Sequence, residues 1–192
     1  MNNFQKIVYD TAKGQGANDM FAKIIVSQLG HESADFKSNV FLKNNNANGM
    51  KVPSKRKSPY IAGSGTKPPS NEGKTPYARF ASLEDNVKDL FLWLTYNKID
   101  HKTITGVEDY AERLRQRSYM GNTEAGKKIY IAGLSRRFKA LGGVGATTDK
   151  PVIKGLGSVG ATVNPKDLLN KSLPVIIFIV VAGALLLITN KM

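Results

Sequence analysis

The chain contains 192 residues, with 28 Lys and Arg against 15 Asp and Glu, so its formal net charge is +13. That length allows one globular domain with an appendage and is short for two full domains. The sequence has no cysteine and two histidines, which excludes a disulfide scaffold, a thiolate metal site and a histidine-only zinc site. We therefore expect neither a metal ion nor a cofactor. The positive charge favours polyanionic surroundings such as nucleic acid, anionic lipid or cell-wall polymer.

The first predicted elements are two helices. Apolar residues recur with the helical period over residues 4–12, and the glycines that follow are placed to end that helix. A second helix begins near Asn18 or Asp19, because either side chain can cap it, and its pattern continues through residues 20–36.

Residues 42–80 differ in composition from the segments on both sides. They contain the prolines of the first 141 residues, many Gly, Ser and Asn residues, and a basic cluster. The cluster consists of Lys51, Lys55, Arg56 and Lys57. This composition predicts a long polar excursion with room for a small hairpin.

Three further helices are predicted after this excursion. Residues 82–85 are close to a capping box, and residues 105–108 have the full Ser/Thr-x-x-Glu pattern. A last helix is predicted over residues 123–141, closed by two glycines. Residues 1–141, which carry 23 Lys or Arg and 13 Asp or Glu, are therefore expected to form one mostly helical domain.

The C-terminal part has a different character. Residues 142–171 are rich in glycine, and we interpret them as a flexible linker. Residues 172–190 carry no charge, and a helix over them at about 1.5 Å per residue covers most of a hydrocarbon core of about 30 Å. They predict a single C-terminal transmembrane helix, the alternative being a helix buried in a soluble core.

The N-terminus lacks the basic start and continuous apolar run of a signal peptide. Together with the predicted C-terminal span, this favours the topology of a tail-anchored protein. The lysines on both sides of the span leave its orientation open.

One carboxylate of the second helix has an unusual position. Ile25, Leu29 and Glu32 follow each other at helical spacing, so an apolar face ends in a carboxylate near the helix C-terminus. Partial burial and the negative end of the helix dipole would both raise the pKa of Glu32, as a general acid at neutral pH requires. The alternative is that the helix frays there and Glu32 is solvated.

Residues 24–51 carry a Gln-x-x-x-Glu-Ser helix, a further serine and an Asn-Asn segment that closes in Gly-Met-Lys. In these motifs the chain resembles the glucosaminidases of glycoside hydrolase family 73. Residues 77–84 are similar to that family's Phe-Arg-x-Tyr-x-Ser-x-x-Glu stretch, and residues 110–130 to its closing Tyr-Ala segment. The resemblance extends in order over residues 4–140, although Asn48 stands where the family has a phenylalanine.

This resemblance implies an α+β, predominantly helical lysozyme-like domain with a small β/loop lobe. It implies hydrolysis of the β-1,4 bonds of peptidoglycan after N-acetylglucosamine, with Glu32 as general acid. Glu72 would be the second carboxylate, unless it is a solvated loop residue, and Tyr119 would line the cleft, unless it is a core tyrosine. Five further positions are expected to bind the substrate: Gln28, Ser38, Asn46, Asn48 and Gly49.

Other functions remain open at this point. A lytic transglycosylase or muramidase would use the same acid, and a structural membrane protein could retain the fold without catalysis. Retaining, inverting and substrate-assisted routes are distinguished by carboxylate separation, which a sequence does not provide. Nucleic acid is not an expected partner, because no nucleic-acid motif occurs in the required context.

A tail-anchored domain without a signal peptide would remain in the cytoplasm, where peptidoglycan is absent. We therefore expect the protein in the membrane of a phage virion, where it opens the cell wall during entry, or otherwise in the bacterial inner membrane. The expected partners are peptidoglycan glycan strands, the lipid bilayer through residues 172–190 and virion structural proteins.

Overall fold

The computed structural model describes residues 1–70, 73–120 and 123–144, together with the backbone of residues 178–181 and 184–187. The α-helices in these ranges are α1 (Asn3–Gly14), α2 (Asp19–Glu32), α3 (Asn39–Asn44), α4 (Leu83–Tyr96), α5 (Val107–Gln116) and α6 (Glu124–Ala140). The strands are β1 (Ile61–Ser64), β2 (Ala78–Phe80), β3 (Phe178–Val181) and β4 (Ala184–Leu187). The domain is thus mostly helical with a small two-stranded sheet, an architecture compatible with the expected α+β class.

The central element is α2, which is buried along almost its whole length. The Asn18 side chain caps it by accepting the backbone N–H of Phe21, and every residue of 24–30 is buried. A helix that is apolar on all sides requires neighbours on several faces. α2 packs against both α1 and α6, and α1 also packs against α4.

The predicted continuation of α2 through residue 36 is wrong, because the helix ends at Glu32. The Ser33 hydroxyl donates to the Leu29 carbonyl and accepts the N–H of Phe36, which closes the end of the helix. Ala34, Asp35 and Phe36 then all adopt positive φ, at 52°, 56° and 64°. This left-handed turn returns Phe36 to the core and leaves Glu32 as the last helical residue.

The later helix boundaries follow the sequence with one exception. Ser82 caps α4 by accepting the N–H of Asp85, as predicted. The capping box predicted at Thr105 is wrong: Gly106 is the N-cap residue and makes no side-chain capping bond. The N–H and hydroxyl of Thr105 bond instead to the Asp109 carboxylate, one turn inside the helix. Thr123 caps α6, and Gly142 follows that helix with φ +73°.

The predicted excursion contains a small hairpin, as expected. β1 and β2 pair antiparallel with a register shift between Ile61 and Gly63. One member of the basic cluster is not a solvated lobe residue, since Arg56 is buried and makes a bidentate ion pair with buried Asp89 of α4, at 2.6 and 2.8 Å. We call residues 45–80 the hairpin lobe. The ion pair between Arg56 and Asp89 connects this lobe to α4.

Most of the predicted linker and membrane span lies outside the described residues. Of residues 172–190, the structure describes the backbone of β3 and β4, which pair antiparallel from Phe178–Leu187 to Val181–Ala184. The backbone there is extended, whereas the sequence pattern predicts a helix; three of the four β3 residues are β-branched and favour strands. Among the described residues, no helix has the length and apolarity needed to cross a bilayer. Membrane anchoring stays a prediction.

Candidate active site

The carboxyl group of Glu32 is surrounded by neutral hydrogen-bond donors. Its Oε1 atom accepts the Tyr130 hydroxyl at 2.7 Å and the Gln28 side-chain amide at 3.0 Å. Its Oε2 atom accepts the Tyr119 hydroxyl at 2.8 Å. These partners orient both oxygens of the carboxyl without placing a full positive charge on either.

The electrostatic consequence is a weak acid. Burial raises the pKa of Glu32 from its ordinary value of 4.5 to about 7, against the opposing effect of the hydrogen bonds from Tyr130, Gln28 and Tyr119. The residue as a whole is only partly buried, so one side of it remains accessible to another molecule. At neutral pH the protonated and ionised forms therefore coexist, which suits a group that gives up and takes back a proton.

Three tyrosines converge on this group from α5, α6 and the segment that joins them. The Tyr110 hydroxyl of α5 donates to Gln28 Oε1 at 2.6 Å, and so reaches Glu32 through the Gln28 side chain. Burial first, and then the charge of Glu32, raise the pKa of Tyr110, Tyr119 and Tyr130 well above the ordinary value. All three hydroxyls are therefore neutral donors around neutral pH.

Tyr119 also joins the acid to its surroundings. Its hydroxyl lies 3.5 Å from the backbone carbonyl oxygen of Asn48, and its ring packs edge-on against Trp93 with 4.9 Å between ring centroids. Trp93 is partly exposed, so an aromatic surface adjoins the acid. The expectation that Tyr119 lies beside Glu32 agrees with this geometry.

The loop before the hairpin is held mainly by its own asparagines. The Asn46 amide donates to the carbonyls of Met50 and Ala78, at 2.8 Å each, and its Oδ1 accepts the Met50 N–H. Asn48 Oδ1 accepts the Asn86 amide at 3.0 Å. Both side chains are buried, and the bonds of Asn46 shape the loop, whereas the Nδ2 atom of Asn48 has no hydrogen-bond partner among the described residues.

The other expected substrate-binding residues occupy varied positions. Gln28 is fully buried, and both ends of its amide bond to protein side chains, which supports positioning of Glu32 over substrate contact. Ser38 caps α3 by accepting the Phe41 N–H. Gly49 is partly exposed, with φ +61°. Glu72, the expected second carboxylate, lies outside the described residues.

The acid nearest to Glu32 in sequence is neutralised by an arginine. The Asp35 carboxylate accepts two bonds from the Arg137 guanidinium of α6, at 2.8 and 3.1 Å, and this contact lowers the pKa of Asp35. Arg137 also lies 3.4 Å from the Nδ1 atom of His31. Within the described parts of the chain, no group of three His, Asp or Glu side chains is placed to hold a metal ion.

Sequence reasoning assigned no role to Tyr110, Tyr130 or Trp93. Both tyrosines lie in the segment that resembles the family's closing Tyr-Ala motif, and each places a hydroxyl on the apolar face of a helix, which indicates a buried polar partner. Trp93 is the single tryptophan of the chain, next to the buried face of α4 that contains Leu90 and Leu94. Its contact with Tyr119 depends on tertiary packing.

No family model matches the sequence, and no curated protein matches it significantly. Among solved structures, the chain is similar to a type VI secretion system effector–immunity complex from Pseudomonas protegens, with 14% identity over 71% of this chain and 89% of that chain, and a TM-score of 0.48. It is also similar to the catalytic domain of the autolysin Auto from Listeria monocytogenes, with 17% identity over 74% and 86% of the two chains and a TM-score of 0.47. Neither score reaches one half, and the function is therefore argued from the site.

Proposed function

We propose that residues 1–141 form a peptidoglycan hydrolase that cleaves the glycan strand, with Glu32 as its general acid. One observation carries this proposal: the carboxyl of the partly exposed residue Glu32 has a pKa of about 7, and neutral donors hold both of its oxygens. Glycoside cleavage requires such a group, because the leaving oxygen must be protonated at a pH where ordinary carboxyls are ionised.

The chemistry assigned to Glu32 is a transfer of its proton to the glycosidic oxygen as the bond to the anomeric carbon breaks. Positive charge then develops on the sugar ring. A second carboxylate stabilises this charge, forms a covalent bond to the anomeric carbon, or activates a water molecule that attacks it. We propose Glu72 for that role from the sequence resemblance. The described acids Asp35 and Asp89 are each paired with an arginine, which leaves them poorly suited to it.

The finer assignment is an endo-β-N-acetylglucosaminidase, supported by the resemblance of residues 24–51 and 77–84 to that class. The aromatic surface of Trp93 and Tyr119 fits a pyranose ring, whose apolar face stacks well on aromatic side chains. The basic character of the domain suits anionic cell-wall material and would raise encounter rates at low salt.

The decisive experiment identifies the products. The full-length chain is incubated with purified peptidoglycan, and the soluble fragments are analysed by mass spectrometry. Reducing N-acetylglucosamine ends support the glucosaminidase, reducing muramic ends a muramidase, and anhydro-muramic ends a lytic transglycosylase. Absence of fragments contradicts hydrolysis and favours the structural alternative.

The same assay tests the acid. We expect Glu32→Gln to release fragments about 10²–10⁴ times more slowly, since general acid catalysis contributes a factor of that size. Glu124→Gln makes the same chemical change at an exposed carboxylate of α6 and should leave the rate unchanged. Undiminished release by Glu32→Gln would exclude Glu32 as the acid.

We also propose that residues 142–171 tether this domain to a membrane span at residues 172–190, in a phage virion that carries a membrane. The support is the uncharged, apolar run of residues 172–190 combined with the hydrolase motifs. Detection of the protein in infected-cell membranes but never in purified particles would contradict the virion location and favour the inner membrane.

A further inference from the structure

The two oxygens of the Glu32 carboxyl have unequal surroundings. Oε1 accepts two hydrogen bonds, from Tyr130 and Gln28, whereas Oε2 contacts one hydroxyl, that of Tyr119. An oxygen that already accepts two donors is a poor place for a proton, because the proton would face the hydrogens of those donors. The proton of the neutral acid therefore belongs on Oε2, the oxygen with fewer protein partners.

This preference depends on which end of the Gln28 amide faces Glu32. A glutamine side chain can present either its NH₂ group or its carbonyl oxygen to a neighbour, and the two orientations are close in shape. Here the Tyr110 hydroxyl donates to Gln28 Oε1 at 2.6 Å, which places Nε2 towards Glu32. Tyr110 and Gln28 are both fully buried, so neither is available to substrate.

We infer that Tyr110 is a positioning residue: by fixing the Gln28 amide, it keeps Oε1 of Glu32 an acceptor and holds the transferable proton on Oε2. The inference rests on the proposed function, in which that proton passes to the glycosidic oxygen. With Tyr110 present, turning the amide over would take away the acceptor that its buried hydroxyl uses, Gln28 Oε1. Without the Tyr110 hydroxyl the amide can turn over, and its carbonyl then accepts a proton from Oε1. The neutral acid is stabilised, but its proton lies on the wrong oxygen.

Few other groups near Glu32 change charge around neutral pH. Burial and the charge of Glu32 raise the pKa of Tyr119 and Tyr130, so both remain neutral. His31 of α2 packs edge-on against Tyr130, and burial, followed by Arg137, lowers its pKa. Glu32 is therefore the group of this cluster whose pKa is raised to about 7, and its own carboxyl carbon reports that titration.

The test compares Tyr110→Phe with Tyr96→Phe, which removes the same hydroxyl from an exposed tyrosine of α4. The pKa of Glu32 is measured in the full-length chain by carbon-13 NMR of its side-chain carboxyl. We expect Tyr110→Phe to raise this pKa by roughly one unit, the size of a lost hydrogen bond, and Tyr96→Phe to leave it unchanged.

Kinetics on peptidoglycan provide the second measurement. In Tyr110→Phe we expect kcat to fall about tenfold to a hundredfold with KM unchanged, since a buried residue affects the reaction and not binding. The alkaline limb of the plot of kcat against pH should shift to higher pH as the pKa of Glu32 rises. A purely structural role for Tyr110 would lower the melting temperature without moving that limb.

An unchanged Glu32 pKa in folded Tyr110→Phe overturns the inference, and so does a raised KM with kcat intact. If Tyr110→Phe does not fold, nuclear Overhauser contacts between the Gln28 amide protons and the Glu32 side chain of the wild-type protein test the same orientation, and their absence overturns the inference. Wild-type protein that releases no fragments would contradict the proposed function alone, because the NMR titration needs no activity.

Discussion

A buried carboxylate and a partly buried one have opposite surroundings in this domain. Asp89, in the middle of α4, receives the Arg56 guanidinium at 2.6 and 2.8 Å, so its charge is matched by a full opposite charge. Glu32, at the end of α2, receives hydroxyl and amide donors, and burial raises its pKa to about 7. The comparison contrasts a carboxylate that an arginine pairs and that fastens two parts of the fold with one that only neutral donors surround, which we propose to be the reactive group.

The largest expected effect concerns the structural member of this pair. Arg56→Met should lower the free energy of unfolding by about 3–5 kcal/mol, because it leaves Asp89 buried without its cation. Urea titration provides the measurement. Lys55→Met, at the exposed neighbouring position, should change the free energy of unfolding by less than about 0.5 kcal/mol.

A double variant sharpens the same point. Arg56→Met combined with Asp89→Leu should regain much of the loss, since two apolar side chains can replace a buried ion pair. Equal urea midpoints for Arg56→Met and Lys55→Met would show that the Arg56–Asp89 ion pair does not stabilise the hairpin lobe. Asp89 would then no longer serve as the structural counterpart of Glu32.

Substitution of Glu32, the proposed acid, should change the free energy of unfolding in the opposite direction. Because the pKa of Glu32 is raised in the folded state, the native protein binds more protons than the unfolded chain, and stability falls as pH rises from about 4.5 to about 7. Glu32→Gln removes this penalty and should stabilise the protein above pH 7, by at most about 3 kcal/mol. Below about pH 4.5 the two proteins should be equally stable.

Thermal unfolding at acid and alkaline pH measures this difference. Glu124→Gln, the same chemical change at an exposed position in the first turn of α6, is the matched control. A stability gap that is the same at both pH values would mean that Glu32 ionises normally in the folded protein.

The smallest effect concerns the turn that ends α2 beside Glu32. Ala34 is exposed with φ 52°, a conformation that costs alanine about 1–2 kcal/mol and glycine much less. After the extra entropy of glycine in the unfolded chain, Ala34→Gly should stabilise by about 0.5–1 kcal/mol in urea titration.

A matched substitution separates this effect from a general consequence of adding glycine. Ala132→Gly makes the same change at an exposed position of α6 and should destabilise by about 1 kcal/mol. If Ala34→Gly and Ala132→Gly changed the free energy of unfolding in the same direction, the backbone of Ala34 would not be strained.

The sequence predicted those features that depend on neighbouring residues. The caps Asn18 and Ser82 need a side chain and an N–H three residues later, so their pattern is local. The end of α2 was missed because Ser33 competes for the helix backbone in a way that the apolar pattern does not record.

The position of Glu32 at the end of an apolar helix face was also predictable, because the spacing of the apolar residues defines that face. Its donors were not, since Tyr110 and Tyr130 lie on later helices that reach Glu32 through tertiary packing. The burial of Arg56 was not predictable for the same reason, since its partner Asp89 is distant in sequence. Local patterns therefore predict the position of Glu32 on its helix, and only the packed structure accounts for its raised pKa.

The tyrosines around the acid also determine when the site is completed during synthesis. Their hydroxyls bond across 82 residues from Tyr110 to Gln28, and across 87 and 98 residues from Tyr119 and Tyr130 to Glu32. A nascent chain that has left the ribosome only as far as α4 already contains Glu32 but none of these hydroxyls, and contacts of such long range form late. The carboxyl is synthesised early, and its environment is completed last.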